Sequence, residues 1–173
     1  MNIEYEERVL EVDKEKLIKK LESLGAVKVG DFHQKRKVYD VKPVNENKWF
    51  RLRTDGHLTT LTFKNVEKNT IDGTKELEIV VDSFDKMDEM MNLLGYKSRN
   101  YQENDRTRYM LDDVELDIDS WPLIPTYLEL ESDSIEKIKK VEKKIGVDPE
   151  MITNLNCQDI YDIDVNKIKV LKF

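Results

Sequence analysis

The sequence of 173 residues has few of the residue types that crosslink a chain or bind zinc. Its one cysteine, Cys157, excludes an intrachain disulfide and indicates a reducing compartment. Its two histidines, His33 and His57, have no cysteine or histidine partners at zinc-ligand spacing, so we interpret them as surface residues. We therefore expect a cytoplasmic protein that has no zinc site.

Long hydrophobic runs are also missing. The N-terminal stretch MNIEYEERVLEV lacks the apolar region of a signal peptide, and no run approaches the length of a membrane span. The net charge of −7 argues against a general nucleic-acid binder, which would normally be basic, and against binding to an anionic membrane. We expect neither as a partner, and the oligomeric state stays open, with a homodimer among the options.

The sequence is rich in charge. Charged residues make up 38% of the chain, well above the usual quarter, and apolar residues make up 39%. This length suits one domain with a sizeable core. We expect a single domain over residues 1–173, with a strand-rich core at about 2–132 and a C-terminal helical segment at about 134–173.

Three stretches carry apolar residues at helical spacing. The first lies between Asp13, a suitable N-cap, and Gly25, a suitable stop, and the others end before Gly95 and Gly146. The three apolar stripes are Leu17, Ile18, Leu21 and Leu24; Phe84, Met87, Met90, Met91 and Leu94; and Ile135, Ile138, Val141 and Ile145. A short helical piece is also expected after Pro149.

Between these helices the apolar period changes to two, which predicts strands. The predicted strands are residues 2–10, 36–41, 49–54, 58–65, 75–82, 106–111, 114–119 and 126–132. Asp55-Gly56 is a strong hairpin signal and Asp112-Asp113 a weaker one. Short strands joined by hairpins indicate an antiparallel sheet.

In seven of the predicted strands, all except 36–41, charged or polar residues alternate with largely apolar ones; Leu52, for example, lies between Arg51 and Arg53. The acidic members are Glu4, Glu6, Glu76, Glu78, Glu115, Asp117, Asp119, Glu129 and Glu131, and the basic members are Arg8, Arg51, Arg53, Lys64, Arg106 and Arg108. An ordinary half-buried sheet also alternates in this way. Pairs of like charge on one strand do not stabilise a solvent-exposed face, however. The alternative is a closed sheet with its charged face inside.

The chemistry of these charges indicates a phosphate and a metal. Arginine and lysine side chains suit phosphate oxygens. Nine acids against six bases leave an excess of three negative charges, which is reasonable if carboxylates hold one or two hard cations such as Mg²⁺. Glu4-x-Glu6 and Glu129-x-Glu131 come from opposite ends of the strand-rich region and would converge if the sheet closes.

The ordered motifs resemble those of the CYTH family, the triphosphate tunnel metalloenzymes, from residue 3 to about 131. The matching stretches are Glu4-Tyr-Glu6-Glu-Arg8, Arg51-Leu-Arg53, Thr62-Phe-Lys64, Glu76-Leu-Glu78, Arg106-Thr-Arg108 and the run from Glu115 through Asp119 to Glu129-Leu-Glu131. The family includes class IV adenylyl cyclases, thiamine triphosphatases and inorganic triphosphatases.

The resemblance implies an α+β fold, a closed eight-stranded antiparallel barrel that forms a tunnel with a charged interior and is wrapped by amphipathic helices. It also implies Mg²⁺ or Mn²⁺ as cofactor and a small-molecule triphosphate as substrate. By position, it implies these roles: metal ligands Glu4, Glu6, Asp119, Glu129 and Glu131; phosphate ligands Arg8, Arg51, Arg53, Lys64, Arg106 and Arg108; catalytic charges Arg8 and Lys64; and supporting carboxylates Glu76 and Glu78.

Two departures from the family pattern affect function. Arg8 replaces the signature lysine, and because a guanidinium effectively cannot lose its proton, Arg8 can supply only position and charge. The stretch from His33 to Asp40 is similar to one in cyclase-like members but lacks its middle acidic residue.

Three functions therefore stay open. They are hydrolysis of tripolyphosphate or of a nucleoside or thiamine triphosphate, cyclisation of ATP to cyclic AMP and pyrophosphate, and binding of a triphosphate without turnover.

Overall fold

The computed structural model describes residues 2–67, 70–71, 73–155, 160–161 and 168–173, with side chains from residue 5 onward. The described helices are α1 (Lys14–Ser23), α2 (Phe84–Leu93), α3 (Ile135–Ile145) and a 3₁₀ helix (Pro149–Met151). The described strands are β1 (Asn2–Val9), β2 (Val27–Asp40), β3 (Lys48–Thr54), β4 (Thr59–Val66), β5 (Thr74–Val80), β6 (Ser98–Leu111), β7 (Val114–Trp121), β8 (Ile124–Ser132), β9 (Ile152–Thr153) and β10 (Val170–Leu171). The predicted α+β class is confirmed.

The eight long strands form one antiparallel sheet. Hydrogen-bonded neighbours follow the order β6-β2-β3-β4-β5-β1-β8-β7, and residues 105–111 of β6 also pair with β7. The predicted count of eight strands is wrong, because the sheet has ten. The two additional strands are two-residue segments: β9 pairs with β1, and β10 runs parallel to β6.

The C-terminal segment is only partly helical. Within residues 134–173, α3 and the 3₁₀ helix that begins at Pro149 are helical. Residues 152–153 and 170–171 are strands, which pair with β1 and β6. Cys157 lies outside the described residues.

The predicted helix ends agree with the structure. The Asp13 carboxylate accepts a hydrogen bond from the Lys16 backbone N–H at 3.1 Å and caps α1. Gly25, Gly95 and Gly146 follow the three helices with φ between 75° and 83°, a region that favours glycine. None of the helices in the described part of the chain is long and apolar enough to cross a membrane.

The helices cover the apolar face of the sheet, as predicted. One core cluster joins α1 and α3 to β7 and β8; its fully buried members include Leu21, Leu116, Ile118, Leu128, Leu130, Ile138 and Val141. In a second cluster, Met91 of α2 packs with Tyr39 and Leu52. Since side chains alternate along a strand, the charged positions point away from the helices.

Two strands begin earlier than predicted. β2 begins at Val27 rather than 36, and β6 begins at Ser98 rather than 106. Immediately before residues 36 and 106 both faces are polar: Gln34 and Asn104 are buried, while their neighbours His33 and Asp105 are exposed. An apolar–polar alternation is therefore absent, and the pattern that marks a strand in the sequence is lost.

The two predicted hairpin turns are present, but the tighter turn is the one with the weaker signal. Asp112 and Asp113 both have positive φ, 51° and 61°, as a two-residue turn of the mirror-image type requires. Between β3 and β4, only Gly56 has positive φ, and the loop spans residues 55–58.

A buried acidic pair lies between the sheet and α3. Glu7 of β1 and Glu142 of α3 are each 5% exposed. Lys139 Nζ lies 2.5 Å from Glu7 Oε2 and 3.2 Å from Glu142 Oε2. Burial, with the neighbouring Glu7 carboxyl, raises the pKa of Glu142 to about 7.

This pair predicts a pH-dependent stability. The pKa of Glu142 rises on folding from its ordinary value of 4.5. The stabilisation that protonated Glu142 contributes to the fold is therefore complete below pH 4.5 and is lost as pH rises through 7. Glu142→Gln keeps the side chain neutral and should stabilise the protein by about 1–2 kcal/mol at pH 8 and by little at pH 5. Urea unfolding at both pH values measures this. The prediction would be contradicted if Glu142→Gln changed the free energy of unfolding equally at both pH values. It would also be contradicted if the control Glu89→Gln, at an exposed position, stabilised the protein.

Candidate functional site

Charged side chains on one face of the sheet form the candidate site. We call this surface the charged face, and its described members are Glu6, Arg8, Arg36, Arg51, Arg53, Lys64, Glu76, Glu78, Arg106, Arg108, Glu115, Asp117, Asp119, Glu129 and Glu131. Glu4 of β1 lies opposite Thr74 of β5, but the side chain of Glu4 is outside the described part of the chain.

Three carboxylates form a row across adjacent strands. Glu131 of β8 lies directly opposite Glu6 of β1 on one side and Glu115 of β7 on the other. Side chains in such positions have Cβ atoms about 5 Å apart, and like charges placed there destabilise a sheet. Burial and the nearby Asp117 raise the pKa of Glu115 to about 7. We call Glu6, Glu131 and Glu115 the acidic row.

Arg8 lies beside this row as a fixed positive charge. Its NH2 is 3.1 Å from Glu6 Oε1 and 2.8 Å from Glu129 Oε2. Burial acts to raise the pKa of Glu129, but the charges of Arg8, Arg106 and Lys64 outweigh it and lower that pKa. The guanidinium is therefore engaged by two carboxylates, in keeping with a role in position and charge.

Arg106 is the centre of a buried ion-pair network. Its Nε and NH2 donate to the two carboxylate oxygens of Asp119 at 2.8 and 2.5 Å, and NH2 also reaches Glu129 at 3.2 Å. Its NH1 donates to Asp117. Burial acts to lower the pKa of Arg106, but Asp119 and Asp117 outweigh it and raise that pKa well above its ordinary value.

Two predicted ligands are held by this network. Asp119, predicted to bind metal, is fully buried and also accepts from Asn104 Nδ2 at 3.1 Å, so the structure places it with Arg106 and outside the acidic row. Arg108 donates from Nε to Asp117 at 2.7 Å and pairs through NH2 with Glu115 at 2.6 Å.

A second set of like charges lies on β2 and β3. We call Arg36, Arg51 and Arg53 the arginine group. Arg36 lies directly opposite Arg53. Arg51 beside it is the largest cause that lowers the pKa of Arg53 to about 9, and burial and Arg106 add to it. The arginine group is therefore a region of strong positive potential.

The predicted supporting carboxylates lie next to these basic side chains. Glu76 forms an ion pair with Lys64. Glu78 accepts a hydrogen bond from Thr62 Oγ1 at 2.6 Å, and its Oε2 is 3.9 Å from Arg53 NH2, beyond hydrogen-bond reach. Glu76 and Glu78 therefore lie close to basic side chains, and their supporting role stays a prediction.

Sequence reasoning missed Arg36 and Asn104. Arg36 follows Gln34 on the same face of β2, and its NH2 donates to Gln34 Oε1 at 2.9 Å and to Asn104 Oδ1 at 2.5 Å. The available signal was the two-residue spacing from Gln34. The predicted strand begins at residue 36 and leaves out Gln34, so this spacing does not place Arg36 on the charged face.

The acidic row has the chemistry that a hard cation needs. Carboxylate oxygens are preferred by Mg²⁺ and Mn²⁺, and Mg²⁺ usually takes only one or two protein carboxylates, with water and phosphate as its other ligands. Within the described residues, no three Asp, Glu, His or Cys side chains converge closely enough to hold a metal as they stand. Two carboxylates in register, such as Glu6 and Glu131, fit the smaller requirement.

Comparison with solved structures identifies the fold. The chain is similar to a conserved protein from Pyrococcus furiosus, with a TM-score of 0.78, 23% identity, and 90% of this chain and 98% of that chain covered. It is also similar to a candidate adenylate cyclase from Vibrio parahaemolyticus, with a TM-score of 0.76, 10% identity, and 93% and 98% covered. The fold is that of CYTH-type proteins.

The chain is also similar to a third CYTH-type structure, for which two activities are named. It is a candidate adenylyl cyclase from Hippeastrum with a dominant triphosphatase activity, at a TM-score of 0.64, 15% identity, and 99% and 98% covered. No family model matches this sequence, and no curated protein matches it. At these identities the likeness establishes the CYTH fold, and the chemistry has to be argued from the site.

Proposed function

We propose that this protein binds a triphosphate-bearing small molecule together with a divalent metal on its charged face and hydrolyses it. The observation that carries the proposal is the pairing of like charges in register at two places. Arg36 lies opposite Arg53, and Glu6 lies opposite Glu131. Each arrangement destabilises the sheet by itself and is relieved by a ligand of the opposite sign.

We also propose that the eight long strands enclose this site as a tunnel in a single CYTH-like domain. The ladder between β6 and β7 supports it, since those strands stand at the two ends of the strand order. Enclosure lowers the local dielectric, so charges inside act more strongly on a ligand than charges on an open surface.

In this proposal the basic and the acidic residues have different roles. Arg51 and Arg53, with Lys64, would bind phosphate oxygens by charge-assisted hydrogen bonds. Glu6, Glu129 and Glu131 would hold Mg²⁺ or Mn²⁺, which when bound polarises phosphate oxygens. Arg8 would stabilise negative charge that develops on the transferred phosphoryl group, because it stands between Glu6 and Glu129 and keeps its proton.

Cyclisation of ATP is the second candidate function. It is favoured by the description of the Vibrio parahaemolyticus neighbour as a candidate adenylate cyclase. The Hippeastrum neighbour, described with a dominant triphosphatase activity, favours hydrolysis. The same phosphate and metal groups would serve both reactions, with either water or the 3′-hydroxyl of the substrate as nucleophile.

We expect the purified protein to release phosphate from tripolyphosphate, ATP or thiamine triphosphate when Mg²⁺ or Mn²⁺ is added, and to lose this activity when the metal is chelated. Colorimetric phosphate detection from neutral to alkaline pH measures release. Chromatography of the ATP products separates ADP and phosphate from cyclic AMP and pyrophosphate. Absence of any product with either metal would rule out both reactions, and tight triphosphate binding without turnover would then establish a binder.

A further inference from the structure

Arg36 is a cation held by neutral groups. Its two hydrogen bonds go to the side-chain carbonyl oxygens of Gln34 and Asn104, and both are donated by NH2. Its guanidinium also lies over the Trp121 ring, 4.5 Å from the ring centroid. Among the described residues, no acceptor contacts Nε and no carboxylate forms an ion pair with Arg36.

This environment makes the charge of Arg36 costly in the free protein. Burial, together with the guanidiniums of Arg51, Arg53 and Arg106, lowers the pKa of Arg36 to about 9. The side chain still carries its charge at neutral pH. A half-buried cation surrounded by like charges destabilises the fold unless an anion compensates it.

Arg106 shows the opposite arrangement on the same face. Asp117, Asp119 and Glu129 surround it, so its charge is already neutralised inside the protein. A substrate phosphate near Arg106 would compete with three carboxylates, whereas a phosphate near Arg36 would have no carboxylate to displace among the described residues. Arg36, rather than Arg106, therefore carries the positive charge that a bound anion would compensate.

The position of Arg36 is fixed from both sides. Asn104 accepts from Arg36 through Oδ1 and donates through Nδ2 to Asp119 at 3.1 Å, so one amide links Arg36 to the Arg106 network. The Trp121 ring covers one face of the guanidinium. A guanidinium held in one orientation offers its planar donors to phosphate with little loss of side-chain entropy.

We propose that Arg36 and Arg53 together bind one phosphate group of the substrate from β2 and β3. This inference rests on the proposed function and adds to it a phosphate-binding residue on β2. Directly opposite positions place the two Cβ atoms about 5 Å apart, so one phosphate can accept from both side chains.

The test measures tripolyphosphate binding by titration calorimetry in chelator, so that no hydrolysis occurs. Arg36→Gln should weaken binding about 10- to 100-fold. It should leave the melting temperature of the free protein unchanged or higher, because a repulsive charge is removed, and should reduce the rise in melting temperature caused by tripolyphosphate. Lys35→Gln is the matched control: it removes one positive charge from the adjacent, exposed position on the opposite face of β2 and should change binding less than 2-fold.

Several outcomes would overturn the inference. Arg36→Gln binding tripolyphosphate like the wild type, or losing no more affinity than Lys35→Gln, would do so while leaving phosphate release by the wild type, and thus the proposed function, intact. If Arg36→Gln does not fold, Arg36→Lys carries the test, and an affinity within 2-fold of the wild type would count against the inference. A wild-type protein that neither binds nor cleaves any triphosphate would overturn both proposals.

Discussion

Replacing Arg106 with methionine is expected to lower the free energy of unfolding by about 3–5 kcal/mol at pH 7. The side chain is 6% exposed and forms ion pairs with Asp117, Asp119 and Glu129. Methionine has similar bulk but leaves buried carboxylates without their main counterion, and uncompensated buried charge is among the largest single-site effects on stability. Unfolding in guanidinium chloride, followed by far-UV circular dichroism, measures the difference.

The pH dependence identifies the cause. Burial raises the pKa of Asp119, and the charge of Arg106 acts to lower it. Without Arg106 the pKa of Asp119 should rise further on folding, so the deficit of the variant should be full at pH 7 and shrink as pH falls and this acid takes up a proton. Arg108→Met is the matched control, because that side chain is 25% exposed and should cost only about 1 kcal/mol. A similar loss in both variants, or a deficit that does not change with pH, would show that Arg106 is not the electrostatic centre of the network.

Glu6→Gln and Glu131→Gln are each expected to reduce metal-dependent phosphate release by about 100-fold or more, since even indirect partners of a metal ligand are worth 10- to 100-fold. Both variants should remain folded, because each removes one of two like charges that lie opposite one another, although Glu6→Gln also gives up the ion pair with Arg8. The measurement is the initial rate over a range of Mg²⁺ and Mn²⁺ concentrations. A shift to higher metal requirement is the expected signature.

Glu89→Gln supplies the control for these two variants. It removes one negative charge from an exposed position on α2, outside the charged face, and should leave rate and metal requirement unchanged. If Glu6→Gln and Glu131→Gln kept the wild-type metal dependence, the acidic row would not be the metal site, and the cation would have to be sought elsewhere on the charged face.

Much of the fold is readable in the sequence because it depends on local patterns. The stripe that includes Leu17 and Leu21 marks α1, and Gly25, Gly95 and Gly146 mark helix ends, since only glycine adopts positive φ without cost. The alternation in β3, β4, β7 and β8 also predicts which side chains face the helices. Patterns failed where both faces of a strand are polar, around Gln34 in β2 and Asn104 in β6, and where two-residue strands depend on a partner distant in sequence.

The candidate site is less readable because its members act in pairs from different strands. Asp119 and Glu131 look alike in the sequence, as acidic residues at alternate strand positions. Register places Asp119 opposite Arg106 and Glu131 opposite Glu6, so one is a partner of an arginine and the other belongs to the acidic row. The same holds for Arg36, which gains significance only because Arg53 lies opposite it.

By itself the sequence determined the alternation of charged and apolar positions, because side-chain period is a property of one strand and needs no partner. Together with the three apolar stripes at helical spacing, this alternation predicted a sheet with helices on its apolar face and a charged face suited to phosphate and metal. Tertiary structure alone decided which charges meet, because the energy between two charges depends on their separation and burial, and the order and register of the strands set both. That pairing leaves Arg106 neutralised, the acidic row with like charges in register, and Arg36 without a carboxylate partner among the described residues.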